Sequence, residues 1–386
     1  MKIMTVGTGG YASVYVNGLL ENTDPSIEYV GAVEKYPDTS PAKEKLDEAG
    51  IPIYTTMEEF FARHTADLTI ISTPTFLHRE QSICALSHGS YVLCEKPVAP
   101  MIGDAEAMMA AEKQYGKFIA IGYQLAYSKA IRSLKADILS GLFGKPQSLK
   151  TIIYGPRNRG YFARGGGWGG RISKDGYMIL DSAISNACAH YVFNMFYVLG
   201  KSMDESITPA RVKAECFRGH EIENFDTCVM QMETEDHIPL FFATSHATEN
   251  WHSVEFEFSF EKAAIRYSMN DLPTVTAEFT DGSRKEYGNP FAGELIKMYD
   301  SLEAIASGTA PVCTVKTAVC HTKLIEGLYR NVPIVNFPAA LIQEKEDDDR
   351  PYVYGLDELL NTAYAQGKLL SELGCAYAEP TEFTIG

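Results

Sequence analysis

The first third of the chain alternates short apolar runs with amphipathic stretches. "KIMTVGTG", "IEYVGAVE", "IPIYT", "ADLTIIST" and "SYVLCEKP" read as strands, and helical patterns, the first running to about Glu21, lie between them. Short apolar strands separated by helices predict an α/β domain over residues 1–122, with a doubly wound parallel sheet.

The pattern then changes. A helical segment covers about 130–139, the turn-like "SGLFGKP" follows, and strand-like runs dominate from Ser148 to Tyr287. These runs are "SLKTIIYG", "FDTCVMQMET", "IPLFFATSHA" and "SVEFEFSFEKAAIRY", interrupted by an apolar helix over 186–199 that ends at Gly200. Strands with an intervening helix predict an α+β domain over 123–335 with a mostly antiparallel open sheet. Helical patterns return at about 293–307 and 316–329. Residues 336–386 read as a C-terminal extension, with an acidic turn at "EKEDDDRP" and a terminal helical pattern from Leu356 to Leu373.

One segment resists both periods. "GPRNRGYFARGGGWGGRISKD" is too rich in glycine for a regular helix or strand and reads as a loop. Its Tyr161, Phe162 and Trp168 are costly on a purely solvated surface, which points to a pocket rim.

A chain of 386 residues exceeds what one core usually organises, in keeping with two domains. Its 34 basic and 50 acidic side chains give a net charge of −16, which disfavours nucleic acid and anionic membranes as partners. The expected ligand is small. No apolar run approaches the roughly 20 residues that span a bilayer, and "MKIMTVGTGG" enters a strand without a signal-peptide pattern, so a cytoplasmic location is expected. The eight cysteines form no CxxC pair. Cys313 and Cys320, with His321, come nearest to a motif, but isolated cysteines are usually small buried apolar residues, and no metal site is expected.

"GTGGYA" supplies Gly7, Gly9, Gly10, Tyr11 and Ala12 in a GxGxxA arrangement between a strand and a helical pattern. The first glycine permits a tight turn, Gly9 lets the backbone approach a pyrophosphate, and Ala12 allows close helix–sheet packing. Glu34 ends the second strand, where a carboxylate accepts both ribose hydroxyls. That predicts NAD, because the same carboxylate would repel the 2′-phosphate of NADP. Thr73, Pro74 and Thr75, with His78, end the fourth apparent strand; Glu95 and Lys96 end the fifth. Ligands of open α/β sheets bind beyond the carboxyl ends of the strands, so these segments are expected at one crevice.

Taken together, the GxGxxA turn, "DLTIISTPTFLH", "ALSHGSYVLCEKPVA" and "SGLFGKP" resemble the glucose–fructose oxidoreductase, inositol dehydrogenase and MocA family of NAD(P)-dependent sugar oxidoreductases, over most of residues 1–335. The resemblance implies a Rossmann domain followed by a domain whose sheet forms a subunit interface, hence a homo-oligomer, dimer or tetramer. It implies hydride transfer between a sugar or cyclitol carbon and nicotinamide, with Lys96 close to the reacting hydroxyl. Family members carry D-x-x-x-H at the start of a helix ending in Leu-Gly. Counting back from Gly200 puts His190 in the histidine's place and Asn186 in the aspartate's. Asp181 offers a second registration, with Ser185 in place of the histidine, or it caps the helix.

On that basis His190 is expected to be the proton acceptor, Lys96 a donor to the same oxygen or a member of the proton relay, and Asn186 an orienting group. Gln124, after the run "FIAIGY", is expected beside the nicotinamide. Tyr154, Arg157, Arg164, Trp168 and His246 are the candidates for the sugar site, aromatics covering a ring face and arginines holding hydroxyl or carboxylate oxygens. Three functions remain open. They are an NAD-dependent dehydrogenase of a sugar, glycoside or cyclitol, a redox-neutral enzyme that cleaves glycosides through a transient keto-sugar with retained NAD, and a non-catalytic NAD and sugar sensor.

Overall fold

The computed structural model describes the backbone of residues 1–386 and the side chains at every position except 165 and 347. The chain divides into two compact units, one of residues 1–128 and 291–319, the other of residues 129–290 and 320–386. Residues 291–319, which the sequence pattern grouped with a 123–335 domain, therefore join the first unit. The reason is apolar: Met298 and Leu302 are buried in the same cluster as Ile3, Tyr15, Leu68 and Leu93.

The first unit is built on a six-stranded sheet with the order β3-β2-β1-β4-β5-β6. Its strands are β1 (Lys2–Val6), β2 (Glu28–Val33), β3 (Ile53–Tyr54), β4 (Leu68–Ile71), β5 (Tyr91–Cys94) and β6 (Ile119–Ile121). All five neighbouring pairs are parallel. The fully buried runs Leu68–Ile71 and Ile119–Ile121 are what a sheet covered on both faces demands. The chain order reverses between β1 and β4, which makes their carboxyl ends the switch point of the doubly wound sheet.

The second unit holds a ten-stranded, mostly antiparallel sheet. Its centre is Pro146–Tyr154, flanked by the parallel strand Pro239–Ser245 and the antiparallel strand His252–Phe260. The C-terminal residues belong to this unit. Leu356, Leu360 and Ala363, from the helix Leu356–Gln366, pack with Ile152, Val229, Phe241 and Ala243 of the sheet, so this face is partly covered. The acidic segment forms the turn of a hairpin between Ile342–Lys345 and Arg350–Val353.

Two elements depart from the sequence pattern. Residues Arg159–Gly167 of the glycine-rich segment are helical, because the Asn158 side chain accepts the Tyr161 amide at 3.0 Å and caps the first turn. The apolar helix begins at Ala189, not 186, and runs to Val198. Ahead of it, Ser182 and Ser185 exchange side-chain and backbone hydrogen bonds and hold 183–188 in turns. Asn186 is therefore outside the helix and His190 is near its start.

Candidate active site

At the end of β1, Gly7 adopts φ +92°, and a Cβ there would lie 2.5 Å from the Ser72 carbonyl oxygen at the end of β4. Only glycine tolerates both conditions. The turn continues through Gly9, Gly10 and Tyr11 into the helix Ala12–Leu20. A Cβ on Gly10 would meet nothing within 4 Å, so the turn presents bare main chain and open space.

Glu34 stands at the end of β2, half-buried, where Thr8 Oγ1 donates to its Oε2 at 2.8 Å and the Tyr36 amide approaches Oε1 at 3.4 Å. Its carboxylate is thus oriented beside the turn. Thr73, Pro74 and Thr75 follow β4, and Thr73 Oγ1 donates to Gln81 at 2.5 Å. Gln124 is buried with its Nε2 donating to the Gly293 carbonyl at 2.8 Å, while its Oε1 has no partner among the described residues.

Lys96 is half-buried two residues beyond β5. Glu95 and His78, expected at a cofactor, are instead engaged within the protein. The Glu95 carboxylate accepts from Tyr15 at 2.6 Å and pairs with Lys297, which is buried and also reaches the Gly122 carbonyl at 3.3 Å. The Lys96 amide also donates to the Glu95 carboxylate, at 3.3 Å. His78 is buried with Nε2 3.0 Å from the Thr73 carbonyl and Nδ1 2.9 Å from that of Pro97. Burial lowers its pKa although the surrounding carbonyls favour the charged ring. It bridges the loops after β4 and β5.

These features fit a bound dinucleotide: a bare turn at a helix start, a carboxylate at the end of β2, and an unsatisfied buried amide oxygen at Gln124. Among the described residues no cluster of three or more His, Cys, Asp or Glu is arranged to hold a metal.

The second unit brings together most of the residues expected around a sugar. Arg157, half-buried, has its guanidinium carbon 4.6 Å from the Tyr161 ring centroid and 5.0 Å from that of Trp251. Arg164 lies 3.5 Å from the Tyr161 ring centroid and 4.9 Å from that of Trp168. His246 is buried, and its Nδ1 lies 2.8 Å from the Gly155 carbonyl. Burial, with the nearby Arg157 charge, pushes its pKa down to about 3, so it is neutral at physiological pH.

Tyr154 does not join this group: it is buried in the core, and its hydroxyl donates to Asn361 at 3.2 Å. Its strand faces the helix Leu356–Gln366, which consumes the ring. Asp181 does not cap the apolar helix, whose N-cap Cys188 makes no side-chain cap bond. It accepts the Gly170 amide at 2.7 Å and the Asn186 amide group at 3.0 Å. His190 is half-buried, and its ring meets Tyr191 edge-on at 6.3 Å.

Sequence reasoning missed one pair. His220 Nδ1 lies 2.8 Å from Asp226 Oδ2, and its Nε2 lies 2.8 Å from the Arg157 carbonyl. Asp226 is fully buried yet its pKa is lowered, since the bonds from His220 and backbone amides outweigh desolvation. The histidine and aspartate in "GHEIENFD", six residues apart, were the available signal.

The fold of the first unit and its strand-end turn define an α/β dinucleotide-binding protein. Residues 1–123, about a third of the chain, match the Gfo/Idh/MocA family model described as "Oxidoreductase family, NAD-binding Rossmann fold". The 1,5-anhydro-D-fructose reductase of Ensifer adhaerens is 33% identical over 98 residues, which are 25% of this chain and 29% of that protein. The 2,7-anhydro-N-acetylneuraminate hydratase of Mediterraneibacter gnavus is 29% identical over 99 residues, 26% of each chain. Each of these matches thus spans only about a quarter of the curated relative. The WlbA dehydrogenase of Bordetella pertussis, solved with NADH and UDP-GlcNAcA, superposes with a TM-score of 0.72 at 19% identity, over 86% of this chain and 94% of that one. That likeness extends the shared fold to most of the chain. Among the described residues no helix is long and apolar enough to cross a membrane.

Proposed function

We propose that the protein is an NAD-dependent oxidoreductase acting on a secondary hydroxyl of a sugar, glycoside or cyclitol. The observation that carries the reading is the strand-end edge of the first unit. There the Gly7 turn, the oriented Glu34 and the His78-bridged loops of Thr73 and Lys96 converge on one switch point. NAD would lie along the turn with its ribose hydroxyls on Glu34 and its nicotinamide toward Gln124, and when bound it supplies a hydride acceptor. Glu34 disfavours the 2′-phosphate of NADP.

The roles of the remaining residues rest on the motif resemblance. His190, in its neutral form, takes the hydroxyl proton. Lys96 donates a hydrogen bond to the same oxygen and stabilises the charge that grows there. Asn186, fixed by its bond to Asp181, orients the substrate. A dimer or tetramer formed through the sheet of the second unit, and a cytoplasmic location, belong to the same reading; light scattering of the purified protein decides the first.

A panel of sugars, glycosides and inositols, followed by NADH absorbance and by mass spectrometry of products, tests the activity. The expected result is stoichiometric NADH and keto-product with one class of compound, and a fall of roughly 10²–10⁴-fold in His190→Ala with NAD affinity kept. Near-normal rates in both His190→Ala and Lys96→Ala would overturn the assignment. The match to a hydratase supports a second reading, in which a retained NAD turns over with no net redox change. Product formation without NADH selects it.

A further inference from the structure

Arg157 and Arg164 stand out in a chain with a net charge of −16. Their sequence neighbours are ion-paired, Arg159 with Glu344 and Asp349, Arg171 with Glu223. Arg157 and Arg164 have no carboxylate partner among the described residues, and the guanidinium of Arg157 makes no hydrogen bond there, with its Nε buried. Among the described residues Arg164 donates only to the Tyr161 carbonyl. Both guanidinium carbons nevertheless lie within 5 Å of the same Tyr161 ring centroid.

Nearby carboxylates are committed elsewhere. Asp181 accepts from Gly170 and Asn186. Asp226 accepts from His220, from the amides of Gly219 and His220, and from Thr227. His246 is neutral and neutralises nothing.

The arrangement is held from behind. His220 contacts the Arg157 carbonyl, the Arg157 amide donates to the His246 carbonyl at 3.0 Å, and His246 contacts the Gly155 carbonyl. Two buried histidines thereby fix the backbone on both sides of Pro156. Guanidinium groups stacked on aromatic rings are positioned in advance, so little rotamer entropy is lost when an anion arrives. Two uncompensated cations at one ring repel each other, and a ligand anion removes that cost.

We propose that Arg157 and Arg164 form a carboxylate subsite and that the substrate is a sugar acid, a uronate or a uronate-bearing glycoside; the inference rests on the sugar oxidoreductase reading above. The planar fork of a guanidinium matches a planar carboxylate. Trp168 and Trp251 offer apolar faces to the sugar ring beside it.

The test uses the full-length protein loaded with NAD. D-glucuronate and D-galacturonate are compared with D-glucose, D-galactose and D-glucose 6-phosphate, binding being followed by calorimetry and saturation-transfer NMR and turnover by NADH absorbance. A uronate is expected to bind roughly 10- to 100-fold more tightly than its neutral counterpart, the range of a charge-assisted hydrogen bond. That preference falls to near unity in Arg157→Met and, separately, in Arg164→Met, while NAD affinity is unchanged. Equal or tighter binding of neutral sugars, preference for the phosphate, or a preference that survives both variants overturns the subsite. Preferential uronate binding without oxidation upholds the subsite and sinks the dehydrogenase reading, whereas oxidation of neutral sugars without preference does the reverse.

Discussion

The imidazole of His78 and the carbonyl of Thr73 meet at 3.0 Å across the end of β4, while the other ring nitrogen faces Pro97 at 2.9 Å. A neutral imidazole donates through one nitrogen only, so the neutral ring hydrogen-bonds one of these two carbonyls and packs against the other, whereas the charged ring donates to both. His78→Ala removes the bridge and leaves a buried carbonyl unsatisfied. A loss of about 1–3 kcal/mol in unfolding free energy is expected, with weaker NAD binding. Urea titration and calorimetry with NAD measure the two effects, and unchanged NAD affinity would detach His78 from the cofactor loops.

In the proposed function Glu34 sets the choice between dinucleotides. Its Oε2 is already engaged by Thr8 at 2.8 Å, so the carboxylate is held in place before any ligand arrives. Glu34→Ser removes the charge that repels a 2′-phosphate. The ratio of kcat/KM for NAD over NADP is expected to fall at least about tenfold, a change of about 1.4 kcal/mol. Steady-state kinetics with both cofactors checks it, and an unchanged ratio would place the ribose elsewhere.

His246 makes stability depend on acid. Its pKa is about 3 in the folded protein because of burial and then Arg157, against an ordinary 6.5. The unfolded chain therefore binds the extra proton first. The stabilisation is complete above about pH 6.5 and is lost progressively as pH falls toward 3, at about 1.4 kcal/mol per pH unit. His246→Gln has no such titration. Unfolding free energies of the two proteins should converge or cross between pH 7 and 4; parallel curves would contradict the burial of an uncharged ring.

Where apolar periodicity and a local motif coincide, the fold was legible: the strands β1, β4 and β5 and the Gly7 turn follow directly from their sequences. Long-range partners were not. Nothing local tells that the Glu95 carboxylate is neutralised by Lys297, a residue of the returning segment 291–319. The helix Arg159–Gly167 runs against the low propensity of its glycines, since the Asn158 cap and the contact of Phe162 with His220, 4.9 Å between ring centroids, override it. Arg157, Arg164 and Trp168 stand out in the sequence because charged and aromatic residues in a glycine-rich segment are unusual, and the structure brings them together. His220 and Asp226 were missed because each looks like an ordinary loop residue until the fold pairs them.

The motif resemblance puts Asn186 in the place of the family's aspartate, a helical turn ahead of His190. In the structure its Nδ2 instead donates to Asp181 Oδ1 at 3.0 Å, from a turn that precedes the helix. Asn186→Asp would set two carboxylates against each other at that distance. One of them must then hold a proton, and the apparent pKa of the pair rises above the ordinary carboxylate range. Because the folded state now binds a proton that the unfolded chain releases near pH 4, the variant loses stability as pH rises from 4 through that raised pKa. It is expected to be about 1–3 kcal/mol less stable than the parent at pH 8, with the gap closing at pH 5. Denaturation at the two pH values measures this. A pH–rate profile that shifts while the stability gap stays constant would instead place residue 186 against His190.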